Sequence, residues 1–443
     1  MTRNARLTRR RFVGGAAGGA AALTLGGGRL SEALAAKSAP ALLQGGGKIT
    51  YWGGLIFSDD ANNLLVDTIN KWGDDNNVET EVVMINQNET NQKVSAAVES
   101  KTMPDALDMG LDLLLLLNST DQLTPLDDIY AKIGQAHGGW YESIDAATAL
   151  TGETKNGIPF GSSGNLLFSR KDVLEAKGLT PPPKTWQEVS DWSKQAQNPP
   201  EVYGMGFALS NVGDGNTMMS VLQSYGGRIA DDTGKTVTIK SEETRTFLQW
   251  VKDAWDAGLF PPGATTWDGA GDNQAYLAGQ AIFIANTGSV HIAAQTDDPD
   301  LDAATHFAPL PAGPKGTISP IGPNFRAIPK SSQNVDTAKA LLEHLANPEF
   351  MEAYYNVAIY APVLQAYETF PVFTDAVHSG LLALVKSGTA PAYPDVYNTA
   401  YADFSANFLV PKMIQRIVVD GKTLDEAMDE AQQQGQAIYD KYE

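Results

Sequence analysis

The sequence predicts an α/β protein in which a largely parallel sheet, covered by helices on both faces, is built twice in one chain. Three observations predict it. Short β-branched or aromatic runs alternate with segments of helical periodicity from residue 48 onward. A chain of 443 residues with 43% apolar composition is too long for one compact core and should divide into two large units. Two stretches dense in Gly, Pro and Ser, residues 156–164 and 308–316, interrupt the alternation and read as passages between the units.

The elements follow in order. Ile49-Thr50-Tyr51-Trp52 is a short strand run stopped by Gly53-Gly54, and in residues 60–72 Leu64, Leu65, Thr68, Ile69 and Trp72 recur at helical spacing. Residues 81–85 alternate as a strand, 91–101 read as a polar-faced helix, 104–109 as a third strand and 111–118 as the next helix. Beyond the first passage, 165–169 is a strand. Thr185 with Glu188 three residues on forms a capping box into a helix over 186–197. Residues 236–239 are expected as an edge strand, Ser241 as the cap of a helix carrying Phe247, Leu248, Val251 and Trp255, and 281–285 as another strand. Helices are expected over 335–345, 348–355 and 423–442. Ligands of such sheets bind at the C-terminal ends of the strands.

The N-terminus carries Arg3, Arg6, Arg9, Arg10 and Arg11, followed over residues 12–25 by an uncharged apolar stretch and then by Ala33-Leu34-Ala35-Ala36. This is the layout of an export signal, and Thr8-Arg9-Arg10-Arg11-Phe12 resembles the twin-arginine consensus. Residues 1–36 are therefore expected to be a twin-arginine-type signal peptide and 37–47 a Gly-rich linker. Without residues 1–35 the chain keeps 26 Lys and Arg against 51 Asp and Glu. Such acidity repels phosphate backbones and anionic headgroups, so nucleic-acid and membrane-surface partners are not expected.

The chain has no cysteine, which excludes disulfides, thiolate metal sites, a Cys nucleophile and a lipidated cysteine anchor. His137, His291, His306, His344 and His378 are scattered without metal-ligand spacing, and no HExxH, GxSxG or Walker loop occurs. Asp298, Asp300 and Asp302 alternate like a calcium loop, but Ala303 and Pro309 stand where it needs Gly and Glu. No metal, no cofactor and no enzymatic activity are expected.

Several phrases carry a family resemblance in a specific order. They are Pro104-Asp105 before a strand, Gly157-Ile158-Pro159-Phe160, and Leu167-Phe168-Ser169-Arg170-Lys171-Asp172-Val173-Leu174 leading into Gly178-Leu179-Thr180-Pro181-Pro182-Pro183-Lys184-Thr185-Trp186. Further on come Ala275-Tyr276-Leu277-Ala278-Gly279-Gln280, Pro309-Leu310-Pro311 and Asn347-Pro348-Glu349-Phe350. Together they resemble the extracellular solute-binding proteins of the maltose-binding type, family 1, over nearly all of residues 48–443. The resemblance implies a periplasmic-binding-protein type II fold, with two lobes, each a mostly parallel sheet flanked by helices, joined by a hinge. Its N-terminal lobe would be 48–162 plus 310–358 and its C-terminal lobe 163–309 plus 359–443. It also implies a monomer, exported to the periplasm or cell exterior and associated with the envelope. Such a protein captures a sugar or oligosaccharide between its lobes by hinge closure and delivers it to the membrane permease of an ABC importer.

A sugar site pairs Asp, Asn or Glu at the ring edge with an aromatic beneath its face. Trp52 and Gly53, ending the first strand, are a candidate stacking platform or a core edge. Asn88 after the second strand is a ligand contact or a turn residue, and Asp112 past the third is a ligand contact or a carboxylate favoured by a helix dipole. Phe160 contacts ligand or packs the hinge. Trp267 stands in a polar Gly-rich loop with no core periodicity. Asn286, Gly288 and Ser289 follow the 281–285 strand, where the family often places a ligand loop, although Val290 and His291 stand where many relatives carry a tryptophan. Asn324 and Tyr360 sit in segments resembling other cleft loops. Two alternatives stay open: a polyamine or other cationic or polyol cargo held by charge and cation–π contact, and a secreted glycoside hydrolase using two carboxylates.

Overall fold

A computed structural model describes residues 47–442 apart from 57 and 269. The chain divides into two units, Met1–Leu42 and Leu43–Glu443; the expected signal and all of the linker but Gly47 lie outside the described residues. Within the second unit the strands sort into two main sheets.

β1 (Lys48–Leu55), β2 (Glu79–Asn86), β3 (Ala106–Gly110) and β4 (Ile158–Ser163) belong to the first. β5 (Leu166–Arg170), β6 (Tyr203–Met205), β7 (Ala281–Asn286) and β8 (Thr305–Pro309) form the second, in the order β6-β7-β5-β8. β9 (Ala312–Gly313) and β10 (Gly316–Thr317) make a small hairpin, after which β11 (Gly322–Ala327) returns to the first sheet, completing the order β2-β1-β3-β11-β4.

The α/β class and the two-sheet plan hold, while the strand directions are more mixed than expected. β1 runs parallel to β2 and β3, but β11 is antiparallel to both β3 and β4. In the second sheet β6 and β7 are parallel and β5 is antiparallel to β7 and β8. These antiparallel pairs join strands more than 100 residues apart in the chain, so their directions are set by the long-range course of the chain and not by hairpins.

Residues 158–163, expected as part of a turn-rich passage, are instead strand β4, and the actual passage is the two residues before Leu166. The glycine that obscured this is needed for contact: a Cβ on Gly161 would lie 2.8 Å from Cγ of Tyr360. The second passage is also more structured than expected. Its hairpin is fastened to the second sheet's helices, with the Ala312 N–H bonded to the Lys184 carbonyl at 2.9 Å and the Lys315 N–H to that of Ser224 at 3.0 Å.

Residues 236–239 do not form a strand. Apart from one isolated bridge, Ala230 to Val237, and the Thr236 N–H, which reaches the Asp231 carboxylate at 3.4 Å, the segment and its next residue bond to helix side chains: Val237 N–H to Gln436 at 2.9 Å, and Lys240 N–H to Gln432 at 3.2 Å. The carbonyl of Val237 accepts from the Gln432 amide at 2.6 Å. Backbone groups are satisfied without a ladder. At Thr185 the hydroxyl accepts from Glu188 N–H, but the Glu188 carboxylate reaches back one residue further, to the Lys184 N–H. The capping box predicted there occurs instead at Thr423 and Glu426, opening the helix Leu424–Tyr439.

Among the described residues, buried apolar side chains form three clusters. The largest runs from Ile49 and Tyr51 through Tyr355, Tyr360 and Ala361 to Phe168 and Phe307, so it is continuous between the sheets. A second lies within the β5–β8 half around Trp186, Phe247 and Phe283, and a third joins Leu107, Leu114 and Phe325.

Candidate functional site

A cavity of about 380 Å³ opens where β1 and β3 end, the position at which open α/β sheets bind ligands. Because β11 is antiparallel, its first residues meet the last residues of β3 and β4 there. Asn324 pairs with Gly110 on one side and Gly161 on the other, and the β4 register shifts between Asn324 and Phe325. Such a bulge re-aims a side chain beside a site.

The wall is aromatic and acidic. Asp108, Asp112, Asn324, Phe160, Tyr354 and Tyr360 line the cavity, and Pro391 and Tyr397 join them from the segment that follows the helix Ala376–Ser387. The Phe160 and Tyr360 rings meet edge to face at 5.9 Å, and Tyr360 stacks on Tyr354 at 6.3 Å. A smaller cavity of about 110 Å³ shares Ile56, Ser163 and Tyr360 and reaches Thr287, Gly288 and Ser289 after β7. The two cavities together touch both sheets.

Beneath the aromatic wall lies a buried polar network. Asp108 accepts from the Tyr51 hydroxyl and, at 3.4 Å, from the Gly54 N–H. Arg326, 1% exposed, donates from Nε to the Tyr51 oxygen at 3.2 Å and from Nη1 to the Leu345 carbonyl at 3.0 Å. Its Nε also lies 3.5 Å from Asp108, and its guanidinium sits 4.2 Å from the Phe160 ring centroid. Burial pushes the Asp108 carboxyl up, with Arg326 opposing; the same burial holds the Tyr51 and Tyr354 hydroxyls protonated. Asp112, in the first turn of the helix Leu111–Ser119, reaches solvent, yet the surrounding wall raises its carboxyl as well.

The structure thus brings together Asp112, Phe160, Asn324 and Tyr360, with Gly288 and Ser289 in the adjoining cavity. Gly288 has φ +125°, and a Cβ there would lie 2.5 Å from Ile359 Cγ2. Asn286 stands behind: its side-chain Oδ1 accepts from Gly288 and Val290 N–H and from the Ser289 hydroxyl, which fixes the start of the helix Ser289–Asp297. Trp52 packs on the Leu107 and Phe325 cluster, and Gly53 lies under Met84. Trp267 lies against Gly263 and Gly271 and touches both large clusters, so it lines neither cavity. The side chain of Asn88 is outside the described residues.

Asp108, Arg326, Tyr354 and Tyr397 escaped the sequence reading. The first two carried a signal, because each is a lone charge inside an apolar strand run, and opposite charges so placed require one another. Tyr397 has no periodicity to mark it.

Among the described residues, no group of three or more His, Asp or Glu could hold a metal ion, and no helix is long and apolar enough to cross a membrane. Residues 65–383 match the family model described as "Bacterial extracellular solute-binding protein". A Deinococcus radiodurans protein named "Probable ABC transporter-binding protein" is 27% identical over 243 residues, half of this chain and 57% of that protein's length. The match therefore leaves over a third of that relative uncovered. Among solved structures, the sugar-binding protein MalE of Xanthomonas citri superposes with a TM-score of 0.76 at 20% identity, over 89% of this chain and 98% of that one. A Thermotoga lettingae ABC transporter solute-binding protein bound to alpha-D-tagatose gives 0.72 at 18%, over 88% and 99%. Both establish the two-lobed fold.

Proposed function

This chain belongs to the bacterial extracellular solute-binding proteins, and on that premise we propose that it captures a neutral sugar or short oligosaccharide for an ABC importer. The observation that carries the reading is the cavity wall. Asp112 and Asn324 offer hydrogen bonds to ring-edge hydroxyls, while Phe160, Tyr354 and Tyr360 offer apolar faces. The names of the superposing proteins, a sugar-binding MalE and a tagatose complex, agree with it.

The lobes proposed are 48–162 plus 310–358 and 163–309 plus 359–443. A ligand touching Asp112 on one and Ser289 on the other favours the closed arrangement by its differential affinity, and the permease reads closure. The twin-arginine signal supports export, and the acidic surface supports a partner set limited to the solute and the permease. A monomer is the working state.

Hydrolysis is disfavoured by the network. A glycosidase needs one carboxylic acid to protonate the leaving oxygen and a second carboxylate free as nucleophile or as base for water, and Asp108 is committed to Tyr51 and Arg326. A cationic solute is the second reading, favoured because the cavity wall presents the exposed Asp112 carboxyl while the nearby Arg326 is already paired. Calorimetric titration with neutral saccharides and with spermidine tests both: saturable saccharide binding supports the first reading, and spermidine binding alone replaces it with the second.

A further inference from the structure

A larger cavity, about 780 Å³, is lined by residues 185–253 and Leu424 together with the β9–β10 hairpin, and shares no residue with the two cleft cavities. The helix Glu242–Asp256 supplies Arg245, Gln249 and Asp253 at four-residue spacing, with Thr246 and Trp250 beside them, so one helical face forms the floor. Thr185 and Gln187 wall one side. The β9–β10 hairpin walls another through Ala312 and Gly313, and its bonds to Lys184 and Ser224 hold that wall in place.

We infer that this cavity is a second binding site, for a neutral saccharide ring, distinct from the cleft. Trp250 and Tyr225, centroids 5.9 Å apart, give it an aromatic surface on which the C–H face of a sugar can lie. Trp250 is 7% exposed and its indole nitrogen is buried without an acceptor, although buried indole N–H groups ordinarily have one.

The rim decides the charge of the ligand. Arg245 is paired with Asp425 and with Glu242, so an anion would have to displace two carboxylates. Asp253 and Asp191 each accept from a glutamine amide, that of Gln249 at 2.7 Å and of Gln187 at 3.1 Å. Those amides keep their oxygens for a hydroxyl donor. The volume falls within the roughly 300–1,000 Å³ usual for small-molecule sites. The inference rests on this lining and is independent of what the cleft binds.

The test uses the full chain labelled with ¹⁵N in its tryptophans, of which there are eight, with maltose as the probe. Trp250→Phe identifies the Trp250 indole resonance. Maltose to about 10 mM, well above the ~1 mM of a weak site, should shift that resonance saturably. The shift should keep its midpoint in Asp112→Ala and vanish in Gln249→Trp, a substitution at an exposed helix position that fills the cavity. A Trp250 resonance that stays still, drifts without saturating, or loses its response in Asp112→Ala overturns the proposal. So does a response unchanged in Gln249→Trp.

Discussion

The guanidinium of Arg326 lies 4.2 Å from the ring centroid of Phe160, joining a buried charge network to the aromatic wall of the cleft. Arg326 thereby supports the ligand surface without lining it. Truncating it as Arg326→Ala leaves Asp108 buried and unpaired, which should cost about 3–5 kcal/mol in a denaturant titration. Tyr51→Phe removes one donor to Asp108 and should cost less, about 1–3 kcal/mol. Equal losses for both would show that the ion pair is not the dominant element.

Asp272 carries a pH prediction. It is 3% exposed, and burial together with the nearby Asp214 pushes its carboxyl from 3.8 up to about 7. The folded state then holds a proton that the unfolded state releases near 3.8. Stability from this group is present at low pH and lost as pH rises from about 4 to about 7, by at most about 4 kcal/mol. Comparing unfolding midpoints across that window in wild type and Asp272→Asn reads the difference; parallel curves for the two would refute the assignment.

Trp267→Ala separates packing from binding. The half-buried ring fills space against Gly263 and Gly271, so its removal should cost about 2 kcal/mol. Affinity at the cleft should change less than about threefold, under 1 kcal/mol. A tenfold loss with unchanged stability would place Trp267 on the ligand after all.

Much of the architecture was legible because it rests on periodicity: the strands at 49–52 and 281–285 and the Ser241-capped helix follow from alternation and helical spacing. What was hidden depends on residues distant in sequence. Residues 236–239 have strand composition but no strand neighbour, since Gln432 and Gln436 take that place. Accordingly Gln432→Leu, which strands a backbone donor and an acceptor, should lower stability by about 1–3 kcal/mol by thermal unfolding, whereas a neutral effect would mean water replaces the amide. The cleft was half legible for the same reason. Asp112 and Asn324 sit where strands meet turns, while Asp108 is identified only by Arg326, 218 positions away.

The most direct test of sugar capture is calorimetric titration of the mature chain with maltose and tagatose at low and high salt, with Asp112→Ala alongside. Saturable binding that barely changes with ionic strength, and falls at least about tenfold in Asp112→Ala, is the predicted result. Absence of saccharide binding, with spermidine bound instead and released as salt rises, would contradict it.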